Sequence, residues 1–243
     1  MHDLPSMADI TVAGPITEEM ARRLCEQIRT AWRYYHFDEV ALYISSPGGE
    51  VIGMEKILRE IDQCRRKGIA VRTIADGLVA SAAAMIASAG SPGLREATPD
   101  ARLLYHEPRY SGCADSHHTA DHLNSLASSL QHATHRMLDG LVCQTRSSDG
   151  GSGPMLATRD LPARIAHLFG GEGDPDEVLP LRDIYTRILQ LEVWLAPEEA
   201  LALHLIDRCR PEPSYRCRAR VHDQRPKTPR TAPAITQITR SCS

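Results

Sequence analysis

Apolar and polar positions along the chain change period several times, and each change marks an element. Residues 9–13 (DITVA) alternate and stop at Gly14-Pro15, as a short strand closed by a turn does. Thr17 then precedes Glu18 and Glu19. A hydroxyl N-cap followed by acids in the first turn predicts a helix, running to about Tyr35. Residues 39–45 (EVALYIS) form a largely apolar run, the mark of a buried strand, and Pro47-Gly48-Gly49 breaks it. Helical spacing returns over residues 51–66, where Val51, Met54, Ile57, Leu58 and Ile61 share one stripe. Gly68 ends that helix, and residues 69–74 read as another strand. Strand–helix–strand–helix–strand at this spacing implies right-handed crossovers and a mostly parallel sheet.

Residues 82–90 are alanine-rich and closed by Gly90, which predicts a helix thin enough to be buried on every side. Residues 101–105 make a fourth short strand, closed by His106-Glu107-Pro108. Residues 119–142 carry Leu123, Leu126, Leu130, Met137, Leu138 and Leu141 at helical spacing, a long amphipathic helix. Residues 146–178 are rich in Gly, Ser and Asp and are expected to hold a flexible loop or insertion. A helix over 183–191, a strand over 193–195 and a last helix over 197–203 complete a domain expected to span residues 1–209. Residues 210–243 contain eight Lys or Arg against two acids, which predicts a disordered basic tail.

Chemistry concentrates at two turns that follow strands of one sheet: Ser46-Pro47-Gly48-Gly49, and Gly77-Leu78-Val79-Ala80-Ser81 running into the alanine helix. Sites in open parallel sheets form outside the carboxyl ends of the strands, so both turns belong at one face. A serine at a helix start sits near unpaired N–H groups and the positive end of the dipole, where an oxyanion would be stabilised. Taken alone, Ser81 is better read as an N-cap. His106 follows the next strand and falls at the same sheet end, and a Ser–His pair there is the minimum for acyl transfer.

Composition narrows the classes further. The chain has 243 residues, 28 Lys and Arg against 31 Asp and Glu, 42% apolar and 24% charged. That balance is globular and offers no global basic field for nucleic acid. No apolar run approaches the roughly 20 residues that span a bilayer. The N-terminus lacks the basic and apolar regions of a signal peptide, so a cytoplasmic protein without membrane contact is expected. Seven cysteines with no CxxC pair suit scattered reduced thiols. His117, His118 and His122, and His132 with His135, have helical metal spacing, but with no acidic or Cys partner nearby a solvated helix face explains them better. No metal or cofactor is expected. Trp194 and Tyr185 read as core rather than substrate platform.

At this point a family resemblance becomes specific. Residues 44–49 (ISSPGG), 77–82 (GLVASA) and 104–108 (LYHEP) resemble, in order and spacing, the signatures of the ClpP family. That family comprises serine peptidases on the crotonase-like fold, the proteolytic subunits of the Clp protease. Residues 196–200 (APEEA) and 205–207 (LID) resemble its C-terminal segment. The resemblance covers roughly residues 8–207. It implies a serine-type endopeptidase acting on unfolded proteins or short peptides inside a homo-oligomeric ring. Ser81 then matches the nucleophile, His106 the general base, and the backbone N–H groups of Gly49 and Ala82 the oxyanion hole. The helix over 119–142 resembles the family's ring-stacking handle.

Two departures stand out. Counting back from Trp194 and Ala200 puts Ile188 where the family has its catalytic Asp, with Asp183 and Glu192 flanking it as candidate orienting acids. The first strand begins near Asp9, which leaves essentially no axial loop and makes an AAA+ unfoldase a doubtful partner. Two rival readings follow: a catalytically weak or inactive structural ring subunit, and a crotonase-type acyl-CoA enzyme sharing the glycine-turn oxyanion hole. The Ser81–His106 pair counts against the second, because thioester enolate chemistry requires no serine nucleophile.

Overall fold

The computed structural model describes residues 7–110, 119–145, 155–169 and 176–211. In chain order these form β1 (Met7–Ala13), α1 (Glu18–Tyr34), β2 (Glu39–Ser46), α2 (Val51–Arg66), β3 (Ala70–Ala80), α3 (Ala82–Ala87), β4 (Arg95–Ala97) and β5 (Arg102–Leu104). There follow α4 (Ala120–Thr145), β6 (Met155–Ala157), α5 (Ala163–Ala166), β7 (Val178–Pro180), α6 (Leu181–Leu191), β8 (Trp194–Leu195), α7 (Pro197–Ala202) and β9 (Arg208–Cys209).

The chain is α/β, with a mostly parallel sheet in the order β1-β2-β3-β4-β9. β5 pairs parallel with β3 beyond the end of β4, and β8 pairs antiparallel with β5. Thr17 caps α1 as its position predicts, its hydroxyl oxygen accepting the Met20 N–H at 3.1 Å. α1 and α2 turn Leu24, Ile28, Ile57 and Ile61 into the core, while all six residues of α3 are buried. At about 25 cal/mol per Å² of apolar surface, this layer of buried aliphatic side chains is the main stabilising term.

Four elements depart from the sequence pattern. β3 runs on to Ala80 instead of stopping at Ile74. It pairs first with β2, then shifts register so that Ser46 faces Val79, while Leu78–Ala80 pair with β5. Asp76 and Gly77 are the extra residues of that irregularity, and they bend the strand so that its end delivers Ser81. α3 ends at Ala87, not Gly90: the Ser91 N–H that would bond the Ala87 carbonyl donates to the Val71 carbonyl of β3 at 2.7 Å, and the Thr73 hydroxyl donates to the Ala87 carbonyl at 2.6 Å. β9 was hidden by its two-residue length and β4 by charge. Arg95 and Glu96 are each 5% exposed, yet Arg95 forks onto Asp207 and Glu96 pairs with Arg72 and Arg210. Buried charge is tolerated when it is paired in this way.

Tyr185 is in the core, its hydroxyl donating to the Leu203 carbonyl at 2.7 Å. Trp194, expected there, is 43% exposed, because β8 is a two-residue strand covered on one face only. Within the stretch read as loop or insertion, β6 and β7 pair antiparallel and α5 lies between them in sequence. Residues 146–154 and 170–175, the tail from 212, and His117 and His118 lie outside the described residues. No helix among the described residues is long and apolar enough to cross a membrane.

Candidate active site

The turn after β2 is held by Ser46, whose hydroxyl donates to the Gly14 carbonyl at 2.6 Å and accepts the Gly48 N–H at 3.1 Å. The next residues strap this turn to the β1–α1 connection: Ile16 N–H donates to the Gly48 carbonyl at 2.8 Å, and Glu50 N–H to the Ile16 carbonyl at 2.7 Å. Contact is so close that only glycine fits. A Cβ at 49 would stand 2.2 Å from the Ile16 carbonyl oxygen. A Cβ at 48, where φ is +90°, would stand 2.5 Å from the Ala80 carbonyl oxygen and 2.6 Å from Ser81 Cβ. The glycine turn therefore packs directly on the backbone that carries Ser81.

Ser81 occupies the N-cap position of α3 without acting as a cap. Its side chain makes no capping hydrogen bond, and its backbone lies at φ +57°, ψ −125°. A non-glycine residue there is strained and persists only where its surroundings impose it. Here they do: Ser81 N–H donates to the Leu104 carbonyl at 2.7 Å, its carbonyl accepts Ala84 and Met85 N–H at 3.0 and 3.2 Å, and Gly48 lies against it. A sharp strand-to-helix turn of this kind lifts a side-chain oxygen clear of the backbone, the geometry of a nucleophile elbow. The Gly49 and Ala82 N–H groups have no acceptor among the described residues. One follows Ser81 in the chain, and the other follows Gly48, which packs on Ser81.

His106 arrives by register. Ala80 pairs with Leu104, so His106 leaves the same sheet edge two residues further on. Its Nδ1 lies 2.6 Å from the Glu107 carbonyl oxygen. A carbonyl can only accept, so Nδ1 is the donor in this contact and Nε2 is the ring nitrogen turned away from it. No Ser81–His106 hydrogen bond is formed among the described residues, a contact that often closes only with substrate bound.

A sequence profile of the Clp protease family matches residues 1–149. The chain belongs to that family. Among its relatives, the ATP-dependent Clp protease proteolytic subunit 1 of Tropheryma whipplei is 43% identical over 70 residues, which are 29% of this chain and 32% of that protein. The proteolytic subunit 2 of Mycobacterium tuberculosis is 39% identical over 74 residues, 30% of this chain and 33% of its own length. A longer match, to the proteolytic subunit 1 of Thermobifida fusca, is 29% identical over 174 residues, 71% of this chain and 74% of the relative. The chain thus spans only about a third of the length of the more identical relatives.

The two acids that flank the family's Asp position are placed differently. Asp183 lies exposed in the first turn of α6. Ile188 is buried in the core. Glu192 ends α6 in a left-handed conformation (φ +53°), immediately before β8. Leu104 pairs antiparallel with Trp194, the last pair of that ladder, so His106 and Glu192 each lie two residues beyond it. Its carboxylate pairs with Arg109, three residues after His106. Sequence reasoning missed Ser46 as the organiser of the glycine turn and Glu107 as the acceptor on His106. Both act through short-range geometry that residue type alone does not encode.

An apolar cavity of about 230 Å³ adjoins the site, lined by Val51, Met54, Met85, Ala133 and Met137 among others. Val51 is two residues from Gly49, and Met85 one helical turn from Ala82.

Proposed function

We propose that the chain is a serine-type endopeptidase subunit in which Ser81 is the nucleophile and His106 the general base. The observation that carries this reading is the strained backbone of Ser81 at the β3–α3 junction, held by Leu104 and Gly48 with its hydroxyl left uncapped. In the reaction, Nε2 of His106 takes the Ser81 proton as the hydroxyl oxygen attacks the scissile carbonyl. The developing oxyanion is received by the Gly49 and Ala82 N–H groups, and the imidazolium then protonates the leaving amine. The apolar cavity beside Gly49 suits an aliphatic or aromatic side chain on the acyl side of the bond.

The imidazole is held by the Glu107 carbonyl, so the site is a Ser–His pair with a neutral orienting acceptor. Of the two candidate acids, register favours Glu192 over Asp183, and Glu192 reaches the imidazole only when it leaves Arg109. A carbonyl stabilises imidazolium less than a carboxylate does, so acylation is slow, and short peptides and unfolded chains are the substrates. Assembly is a homo-oligomeric ring. α4 supports this: its C-terminal half buries Met137, Leu138 and Leu141, whereas Leu123 at its N-terminal end is 52% exposed. An AAA+ unfoldase is not required by this account, and the ring works in the cytoplasm.

The test is hydrolysis of fluorogenic short peptides and of unfolded casein by the purified protein. Wild type is expected to cleave both, and Ser81→Ala and His106→Ala neither. Equal turnover by Ser81→Ala would overturn the assignment. A wild type that neither cleaves peptides nor acylates would favour the inert ring subunit.

A further inference from the structure

A second cavity, of about 440 Å³, opens directly behind the His106 loop, between α4 and α6. Glu107 and Pro108 form its wall on the loop side, facing Thr134 and His135 of α4 and Thr186 and Gln190 of α6. α4 divides the two cavities. Ala133 and Met137 line the apolar one, while Leu130, Thr134 and Leu138 line this one.

Serine acylation assigns the two sides. The carbonyl half of the scissile bond must face the Gly49 and Ala82 N–H groups, beside the apolar cavity. The amine half must lie where His106 can protonate it, and the chain that follows His106 is Glu107-Pro108. The residue after the scissile bond is therefore directed toward the larger cavity.

Charge then selects what enters. The ionisable groups lining it are Glu107, His135 and Arg182. Arg182 is paired with Asp139. The neighbouring Arg109 is paired with Glu192, and Arg136 with Glu55. Half-buried Glu107 takes part in no salt bridge among the described residues, so it is the acidic side chain that the cavity offers to a cationic group. Resting on the peptidase reading above, we propose that this cavity receives the leaving-side residue and that Glu107 selects lysine or arginine there. Glu107 is a specificity determinant through its side chain, separate from the carbonyl that holds His106.

The test uses internally quenched peptides of one sequence, with Leu before the scissile bond and Arg, Ala or Glu after it. Reactions are run at pH 8 and low ionic strength, with the cleavage position read by mass spectrometry. The expected order of kcat/KM is Arg over Ala over Glu, about two- to fivefold at each step, the scale of a partly solvated ion pair. Glu107→Gln should bring the three together and Glu107→Lys should invert the order. Equal kcat/KM in the wild type, or an Arg preference that survives Glu107→Lys, would overturn the inference while leaving the peptidase reading intact.

Binding of the same peptides to Ser81→Ala, followed by fluorescence anisotropy with Glu107 intact or changed to Gln, separates the two claims. Tighter binding of the Arg peptide that depends on Glu107, without wild-type turnover, would sustain the cavity and sink the peptidase. Absence of both discrimination in binding and turnover would sink the cavity assignment too.

Discussion

Replacing Gly48 by alanine is the sharpest structural perturbation of the elbow, because the new methyl has nowhere to go. At φ +90° an alanine incurs roughly 1–2 kcal/mol of backbone strain. Its Cβ would also stand 2.5 Å from the Ala80 carbonyl oxygen and 2.6 Å from Ser81 Cβ. Neither neighbour is a flexible side-chain end, so relief requires moving the β3–α3 junction, at a further ~1–3 kcal/mol for an overpacked site. Together these give about 2–5 kcal/mol. For a chain of this size each kcal/mol lowers Tm by about 2–4 °C, so a fall of roughly 5–15 °C is expected. Gly14→Ala is the internal control, since φ there is +77° but nothing lies within 4 Å of the added carbon. It should incur the backbone strain alone. The assay is thermal unfolding of wild type and both variants by circular dichroism, paired with acylation rates. If Gly48→Ala unfolds no earlier than Gly14→Ala, or acylates at the wild-type rate, the packing of the glycine turn on Ser81 does not position the nucleophile.

Three further outcomes are expected. Asp183→Asn should leave acylation unchanged, and Glu192→Gln should slow it by no more than about tenfold, because the Glu107 carbonyl already fixes the imidazole. A fall of ~10²–10⁴ for Glu192→Gln in stopped-flow acylation would show that it leaves Arg109 and becomes the orienting acid. Burial by itself would raise the Asp207 carboxyl, but the Arg95 guanidinium and the backbone N–H groups of Arg95 and Gly93 outweigh it and hold the pKa below the ordinary Asp value. A lowered folded-state pKa means that this stabilisation is complete above the unfolded value of about 3.9 and is lost as pH falls through the folded one. Tm followed from pH 7 to 2 should drop in that window for wild type. Asp207→Asn should lose about 3–5 kcal/mol at neutral pH, since buried Arg95 is left unpaired, and unchanged stability would refute the pairing. Leu130→Asp should dissociate the assembly in light scattering while the monomer keeps its circular dichroism spectrum, whereas a wild type that is monomeric at micromolar concentration would contradict the ring.

Much of the fold is visible in the periodicity, and the exceptions share a cause. β1, α1, α2 and α6 announce themselves because a single apolar face decides each of them, and β2 because its apolar run is nearly continuous. β4 does not, because two of its three buried positions are filled by Arg95 and Glu96, whose partners Asp207, Arg72 and Arg210 are remote in sequence, and β9 does not, because it is two residues long with neither of them buried. The extension of β3 depends on a register shift set jointly by β2 and β5, and nothing in residues 75–80 alone encodes it. At the site, ordered motifs point to Ser81, His106, Gly49 and Ala82. What residue types cannot carry is conformation: the positive φ of Ser81, the Glu107 carbonyl on Nδ1, and the pairing of Glu192 with Arg109 while Ile188 is buried in the core. Each of these arises from three-dimensional neighbours supplied by other elements.

The central claim is that the β3–α3 elbow presents an activated serine hydroxyl. It is tested most directly by treating the purified chain with an active-site fluorophosphonate and reading the adduct by intact mass and peptide mapping. The account predicts a single adduct on Ser81, absent in Ser81→Ala and slowed by several orders of magnitude in His106→Ala. A wild type that stays unlabelled, or an adduct that persists in Ser81→Ala, would contradict it.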